Sequence, residues 1–240
     1  MTIDIHQPIG DLTCAFPALS RVFERLGIDY CCQGRRSLSE ACARRGLDLS
    51  VVLEHLERVQ RAPEAGAAPS LEPVPLADYI ERTHHQFTRA ELSRLAPLAE
   101  KVRRVHGGRR SELVRVERAL AALTEDLELH MFKEEQVLFP YIRRLALGLV
   151  QNAPFANLSL PLRVMHQEHD RVGSLLEELA ALTEGYQPPP DACASYRALY
   201  EGLAALQSDL HQHVHLENNV LFPAAERLEV QRSKPASDSH

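Results

Sequence analysis

The sequence lacks tryptophan and has no hydrophobic run long enough to span a bilayer, which takes roughly 20 consecutive apolar residues. Its opening stretch, MTIDIHQPIG, also lacks the basic and apolar regions of a secretory signal. With 45% hydrophobic and 25% charged residues, the composition is that of an ordinary globular protein. We therefore expect a cytoplasmic protein that does not bind membranes.

Basic residues are also in deficit, because 27 Lys and Arg stand against 33 Asp and Glu, which gives a net charge of −6. A protein that binds nucleic acid by neutralising phosphates needs an excess of basic side chains. Nucleic acid is therefore not an expected partner.

The five cysteines are an odd number without regular spacing, so a disulfide framework is not expected. Two of them, Cys31 and Cys32, are adjacent in the segment DYCCQG. A thiol pair in a cytosolic protein indicates redox or metal chemistry, and the alternative is a pair of partly buried structural thiols. Arginines follow in the same predicted loop, so we expect nearby positive charge to lower the thiol pKa and favour the thiolate.

Residues that favour strands are sparse, whereas Ala, Leu, Glu and Arg dominate, so the predicted fold class is all-α. A stretch rich in Pro, Ala and Gly separates two units. We predict a small helical, cysteine-bearing domain over residues 1–61, a linker over 62–75, an antiparallel four-helix bundle over 76–230 and a disordered tail over 231–240.

Helix boundaries within the two units follow from capping signals and breaks. The N-terminal unit should hold three short helices, of which the second begins at a Ser37–Glu40 capping box and ends at Gly46. The four long helices of the bundle are predicted at about 76–104, 111–146, 161–184 and 191–228.

One motif occurs twice in the bundle region, as HMFKEEQVLFP from His130 to Pro140 and as HVHLENNVLFP from His213 to Pro223. Each copy places a Glu four residues after its first His, and positions four apart share one face of a helix. Apolar residues frame both pairs at helical spacing. The frame comprises Val116, Leu120, Leu123, Leu127, Val137 and Leu138 in the first copy, and Leu199, Leu203, Leu206, Leu210, Val220 and Leu221 in the second. Both pairs are therefore predicted to face the core.

An ionised Glu in a core stripe costs free energy unless it is paired or bound to a metal. A His–Glu hydrogen bond could satisfy one helix, but two such pairs facing each other would bring two carboxylates together. A cationic centre removes that repulsion, and helical bundles build dinuclear metal sites from inward-facing His and Glu residues. We therefore predict that His130, Glu134, His213 and Glu217 bind metal.

The other two long helices should supply further ligands. In LRVMHQEHDRVGSLL, His169 lies on an apolar stripe, whereas His166 has a less complete frame and is predicted to lie behind the ligands or to face solvent. In the first long helix, periodicity does not separate His84 from His85. The remaining histidines within the predicted domains, at positions 6, 55, 106, 211 and 215, are interpreted as surface residues.

Four imidazoles and two carboxylates form a nitrogen–oxygen donor set, which suits iron, manganese or zinc. Six protein ligands shared by two ions leave coordination positions free for a small molecule, and this openness suits redox chemistry with a diatomic ligand. A closed structural zinc site would instead use four ligands, usually thiolates. A di-iron centre is our preferred interpretation, and di-manganese is the alternative.

Five segments, in order, resemble those of the iron–sulfur cluster repair di-iron proteins, also called Repair of Iron Centres. They are GIDYCCQG, HMFKEEQVLFP, EHDRVG, PPPDAC and HVHLENNVLFP. That family has a hemerythrin-like four-helix domain preceded by a small domain with paired cysteines. The resemblance implies as ligands His85, with His84 as the alternative, and His130, Glu134, His169, His213 and Glu217. It also implies a carboxylate-bridged di-iron centre, oxo-bridged when oxidised, and gives Cys31 and Cys32 a thiol redox or transfer role.

The function implied by the resemblance is repair of iron–sulfur clusters damaged by nitric oxide or oxidants, by donation of iron or binding of nitric oxide. The expected partners are proteins with damaged clusters and nitric oxide or another diatomic ligand, and a homodimer is left open. The linker would let the cysteine loop reach the bundle and pass on iron or a nitrosyl group. The alternatives are a carrier or sensor of nitric oxide or oxygen and a turnover enzyme, either a di-iron nitric oxide reductase or a peroxidase. Repair is favoured, because a carrier has no need of the DYCCQG unit.

Overall fold

The computed structural model describes residues 3–60, 72–149, 155 and 157–233, and these residues form an all-helical fold. The N-terminal unit contains α1 (Ile9–Ala15), a short 3₁₀ helix (Pro17–Leu19), α2 (Ser20–Arg25), α3 (Leu38–Arg45) and α4 (Leu49–Gln60). The bundle contains α5 (Pro73–Ile80), α6 (Gln86–His106), α7 (Glu112–Lys133), α8 (Phe139–Ala146), α9 (Ser159–Leu182), α10 (Ala194–Leu216) and α11 (Phe222–Ser233). No helix in these ranges is long and apolar enough to cross a bilayer.

The predicted capping box of the N-terminal unit is confirmed at α3. The Ser37 side chain accepts a hydrogen bond from the Glu40 backbone amide, and the Ser37 amide donates to the Glu40 carboxylate at 3.0 Å. Gly46 ends the helix with a φ of 64°, a left-handed conformation that favours glycine. The unit has its own apolar core, which consists of Ile3, Ile9, Leu12, Leu19, Val22, Phe23, Ile28, Tyr30, Leu38, Ala41, Cys42, Val52 and Leu56.

The four predicted long helices are present as four rods, of which three are built from two α-helices joined by a short π-helical turn. The first rod begins at Pro73, so the last residues of the predicted linker are already helical. The fourth rod extends to Ser233, into the predicted tail. The rest of the predicted linker up to residue 71, and the rest of the tail from residue 234, lie outside the described residues.

Two apolar clusters show that the rods alternate in direction. The first cluster joins the end of rod one to the start of rod two, the end of rod three and the start of rod four. It includes Leu95, Val102, Leu113, Leu120, Leu176, Leu179, Leu199 and Leu206. The second cluster joins the four opposite ends and includes Leu76, Ile80, Phe139, Ile142, Leu158, Leu162, Leu221 and Phe222. The predicted antiparallel four-helix bundle is therefore confirmed, and a layer of buried polar residues lies between its two apolar clusters.

Three π-helical turns interrupt the rods at this polar layer, over Glu81–His85, Glu134–Leu138 and Glu217–Leu221. In the last two, a proline follows as the second residue of the next helix, where it lacks an N–H and its ring crowds the carbonyl of the preceding turn. The prolines of the repeated motif thus account for two of the turns. A π turn shifts the side-chain register, and Val137, predicted to be buried, is instead 40% exposed while Leu138 is buried.

The N-terminal unit packs directly against the fourth rod of the bundle. The Asn219 side-chain amide donates to the Cys31 carbonyl at 3.2 Å, and the backbone of the unit approaches Asn219 at Gly10 and Gly34. A Cβ at Gly34 would lie 2.4 Å from Asn219 Oδ1 and 2.8 Å from the Tyr30 carbonyl, which is closer than such atoms can approach. Glycine at this position is therefore required for the contact between the cysteine loop and the bundle.

Candidate metal centre

The six side chains predicted as metal ligands meet in the polar layer, and each is at most 1% exposed. They form two overlapping groups of potential ligand atoms, all within 4.8 Å of one another in each group. His85 and His213 belong to one group, and His130 and His169 belong to the other. Glu134 and Glu217 belong to both groups. The predicted twin arrangement, in which two carboxylates lie between two sets of imidazoles, therefore exists in the folded chain.

Outer hydrogen bonds fix which nitrogen of an imidazole faces the centre. Three rings bring Nδ1 close to an oxygen of a neighbouring rod. These contacts are His85 Nδ1 to Glu135 Oε1 at 2.7 Å, His130 Nδ1 to Glu168 Oε2 at 3.0 Å and His169 Nδ1 to Asn218 Oδ1 at 2.9 Å. Because each oxygen accepts, Nδ1 carries the proton, and a neutral ring directs the lone pair of Nε2 inward. Partners of this kind orient metal-binding histidines.

The inward nitrogens face each other in pairs. His130 Nε2 lies 3.0 Å from His169 Nε2, and His85 Nε2 lies 3.2 Å from His213 Nε2. If the rings of His130 and His169 were both neutral, with their protons on Nδ1, this separation would bring two lone pairs together, so a proton or a metal ion must lie between them. Two nitrogens bound at about 2.1 Å to one cation, at a right angle, are roughly 3.0 Å apart. The ring geometry therefore fits a metal ion.

The two carboxylates also lack adequate partners. Both oxygens of Glu134 and Oε2 of Glu217 are buried and make no well-formed hydrogen bond to any group in the described part of the chain. They lie 3.1 to 3.4 Å from imidazole nitrogens, close enough for charge attraction but poorly aligned for hydrogen bonding. A buried carboxylate left in this way is costly, whereas a cation bound by the same oxygens satisfies it.

The pKa values show that the centre attracts positive charge. Burial lowers the pKa of His130, but the adjacent Glu134 carboxylate outweighs burial and raises this pKa to about 10. Burial opposes ionisation of Glu217, yet the neighbouring His213 and His169 keep its pKa well below the usual value. Both carboxylates thus stay ionised. Protons and metal ions compete for the same positions, so a metal must displace protons to bind.

The two copies of the motif supply equivalent hydrogen-bond partners to Nδ1 of neighbouring histidines, with one exception. Glu135 and Asn218 both follow the carboxylate of their copy, and each bonds Nδ1 of a histidine on a neighbouring rod. The residue before His169 is Glu168, which bonds His130. The residue before His85 is His84, whose ring instead stacks on His213 with centroids 5.7 Å apart. Nδ1 of His213 consequently has no hydrogen-bond partner among the described residues.

The structure brings His85, rather than His84, into the cluster, although both are buried. His84 Nδ1 lies 3.0 Å from Asp209 Oδ1, outside the centre. His166 is half-buried beside the cluster, with its ring edge-on to His169 at 6.5 Å, in agreement with a position behind the ligands.

The interpretation of His215 as a surface residue is wrong. It is 5% exposed, its ring lies 5.3 Å from that of Tyr30, and its Nδ1 lies 3.1 Å from the Asn219 amide. His211 is half-buried and also faces Tyr30, at 6.3 Å. Both lie on the far side of the helix from His213, as predicted, but the N-terminal unit covers that side. The periodicity of one helix cannot reveal this contact between units.

The cysteine loop lies against the bundle, where Cys31 and Cys32 are free thiols with Sγ atoms 3.9 Å apart. Both cysteines and His169 line one cavity of about 640 Å³. The expectation of a lowered thiol pKa is wrong for Cys31. The contact with Cys32, burial and the Asp29 carboxylate all raise its pKa well above the usual value, whereas Arg35 is exposed.

Comparison with known proteins gives two family matches. Residues 76–225 match the hemerythrin HHE cation binding domain, and residues 5–60 match a domain of unknown function, DUF542. The chain is 39% identical over 222 residues to the iron-sulfur cluster repair protein YtfE of Escherichia coli O8 (strain IAI1), an alignment that covers 91% of this chain and 96% of the relative. The proteins of the same name from Escherichia coli O1:K1 / APEC and Escherichia fergusonii are each 38% identical with the same coverage.

Proposed function

Because the chain belongs to the hemerythrin-like family of iron–sulfur cluster repair proteins, we propose that it is a di-iron protein that repairs iron–sulfur clusters. The damage that it repairs is nitrosative or oxidative, and the repair consists of donating iron, binding nitric oxide, or both. The substrates are therefore proteins whose clusters have been damaged. We also propose a cytoplasmic location, in keeping with five cysteines that are all free thiols.

The observation that carries this proposal is the convergence of inward-facing imidazole nitrogens and unpartnered carboxylate oxygens in a fully buried layer. His85 and His213 would hold one iron, and His130 and His169 the other. Glu134 and Glu217 would bind both ions, since each belongs to both groups. Imidazole and carboxylate donors suit iron, and a centre with six protein ligands for two ions supplies open positions for redox chemistry or a diatomic ligand.

The side chains around the centre hold these donors in place. Glu135 accepts from His85 and also from Arg89, whose guanidinium donates to both of its oxygens at 2.8 and 3.0 Å. Glu168 accepts from both His130 and the Lys133 ammonium. Each outer carboxylate is thereby neutralised by a cation on the bundle surface. The inner carboxylates remain available to the metal ions, and the apolar clusters on both sides restrict water.

Cys31 and Cys32 are the proposed transfer thiols, because they line the cavity that His169 also lines. The cysteine loop already contacts the bundle, so no movement of the N-terminal unit is needed to bring the two together. Iron or a nitrosyl group would have to cross only this cavity between the bundle and the thiols.

The test is a repair assay in which the iron-loaded protein is incubated anaerobically with a [4Fe–4S] enzyme inactivated by nitric oxide. Wild-type protein should restore the enzyme, and the double variant Cys31→Ser/Cys32→Ser should fail to restore it while retaining its iron. Cys193→Ser, which removes the exposed thiol at the start of α10, is the matched control and should act as wild type.

Undiminished repair by the double variant would reject the transfer role of the cysteines. Failure of iron-loaded wild type to restore the enzyme would reject the repair function itself. In that case, reversible binding of nitric oxide would assign a carrier, and steady consumption of nitric oxide with an electron donor would assign a reductase.

A further inference from the structure

The cysteine loop brings three donors together outside the bundle. The Cys31 thiol donates to Asp29 Oδ1 at 3.1 Å, and Cys31 Sγ lies 3.9 Å from Cys32 Sγ. Ligand atoms of Asp29, Cys31 and Cys32 all lie within 4.8 Å of one another. The sequence pattern indicated the cysteines but not Asp29, because a lone Asp two residues before a Cys carries no distinctive spacing signal.

The separation of the two sulfur atoms favours metal binding over a disulfide. A disulfide requires the sulfurs at about 2.05 Å, which is far shorter than the distance observed. Two thiolates bound at about 2.3 Å to one tetrahedral cation are instead roughly 3.8 Å apart. The observed 3.9 Å is nearly this value, so the thiols are already spaced for a shared ion.

The fold holds these donors in place without an ion. Asp29 Oδ1 accepts from the backbone amides of Cys31 at 3.2 Å and Cys32 at 2.9 Å, which fixes the turn. Asn219 and Asn218 donate to the Cys31 carbonyl at 3.2 and 3.4 Å and so tie the turn to the fourth rod. Donors held in advance in this way lose little conformational entropy when they bind an ion.

The donors also face a space through which an ion can pass. Asp29, Cys31 and Cys32 line the 640 Å³ cavity, and His169 and His211 line it as well. His169 is one of the residues that would hold iron in the bundle. An ion at the cysteine loop would therefore share a cavity with one of the residues proposed to hold iron.

We propose that Asp29, Cys31 and Cys32 form a separate site for a single thiophilic divalent cation, and that Fe²⁺ occupies it in transit from the bundle. This inference rests on the proposed function, because it names the position at which iron is bound after it leaves the bundle and before it is transferred. Binding forms two iron–sulfur bonds and one iron–oxygen bond and releases the two thiol protons to solvent, with no change in oxidation state.

The test is an anaerobic titration of the iron-loaded protein with Co²⁺ in the presence of a phosphine reductant. The bundle centre is already filled, so added Co²⁺ reports on the cysteine loop. One equivalent of Co²⁺ should bind and give sulfur-to-cobalt charge-transfer absorption together with the strong visible bands of a tetrahedral ion. Cys193→Ser should give the same spectrum, and Cys31→Ser/Cys32→Ser should give neither set of bands. Asp29→Asn keeps an oxygen acceptor for the two amides but removes the charge, so it should retain the fold and bind Co²⁺ more weakly.

A folded, iron-loaded wild-type protein without thiolate–cobalt absorption would overturn the proposal, and so would an unchanged spectrum in the double cysteine variant. The variant Glu134→Gln separates this failure from a failure of the proposed function. It should lose the bundle iron but keep the thiolate–cobalt spectrum, since its substitution lies outside the loop. A missing cobalt spectrum with normal iron content and normal repair would reject the loop site alone.

Discussion

We expect Glu134→Gln and Glu217→Gln each to remove metal from both positions of the proposed centre, because each carboxylate belongs to both groups of potential ligands. A histidine belongs to one group only, so His85→Asn should release chiefly the ion that His85 shares with His213. We expect either carboxylate variant to bind iron at least about 100-fold more weakly, a larger loss than removal of an outer hydrogen-bond partner causes. Iron content per chain and Mössbauer spectra, which distinguish paired from single iron, measure both effects.

Two matched controls accompany this experiment. His84→Asn alters the neighbouring buried imidazole, which bonds Asp209 outside the centre, and should retain both ions. Glu128→Gln alters an exposed carboxylate on the same helix as His130 and should bind iron as wild type. A Glu134→Gln protein that holds both ions with unchanged affinity would contradict the assignment. So would a loss from His84→Asn that equals the loss from His85→Asn.

Loss of iron can be separated from loss of fold, because Gln has nearly the same shape as Glu and carries no charge. In the metal-free protein, burial and Glu217 oppose ionisation of Glu134, but the attraction of His130 and His85 outweighs them and lowers the Glu134 pKa. Gln removes this net attraction, so the metal-free variant should unfold at a somewhat lower temperature than metal-free wild type but stay folded at the temperature of the iron titration. Unfolding of the variant below the titration temperature would show that it loses iron by unfolding.

Removal of iron from the wild-type protein lowers its unfolding temperature by about 10 °C, the second large effect that we expect. A ligand at a thousandfold excess over its dissociation constant stabilises the folded state by about 4 kcal/mol. In a chain of this size, each kcal/mol shifts the unfolding temperature by roughly 2–4 °C. Differential scanning calorimetry with and without a chelator measures the shift.

The double variant Glu134→Gln/Glu217→Gln is the control for this effect, since it lacks both charges that the ions neutralise. Its unfolding temperature should not respond to the chelator. A wild-type protein that unfolds at the same temperature with and without a chelator, although its iron has been removed, would contradict the claim that cations stabilise the polar layer.

The sequence predicted the features that depend on one helix at a time. The repeated His–Glu spacing selected His130, Glu134, His213 and Glu217, and an apolar stripe selected His169, because a core-facing residue on a regular helix has apolar neighbours at fixed intervals. The structure brings these five together. The all-α class and the four rods were predicted for the same reason, since composition and helical periodicity are local properties.

The histidine of the first rod could not be selected in this way, because a π turn spans Glu81–His85. Such a turn carries an extra residue, so helical counting from one side favours His84 and from the other favours His85. The resemblance to the family favoured His85, which is the residue that the structure places in the cluster. Val137 was predicted as buried for the same reason, because counting from His130 crosses the π turn Glu134–Leu138.

The contacts between the two units also could not be predicted from the sequence. His215 is buried by Tyr30, which is distant along the chain, and no spacing within α10 indicates this. The pKa of Cys31 depends on burial and on Asp29 more than on arginines that are near only in sequence. The outer partners Glu135 and Asn218 did carry a signal, because both occupy the same place in the two copies of the motif, immediately after the carboxylate.

Among the residues that the structure describes, His213 Nδ1 has no acceptor, so the two irons would not be interchangeable. His130, its counterpart, is anchored by Glu168, and such an anchor typically changes metal affinity by about 10–100-fold. The ion on the His213 side should then leave first, and a half-empty form with iron still on His130 would be a normal stage of unloading. Mössbauer spectra recorded during slow chelation would show this form, and simultaneous loss of both irons would exclude it. A protein that donates iron could thereby release one ion to each recipient protein and retain the second ion.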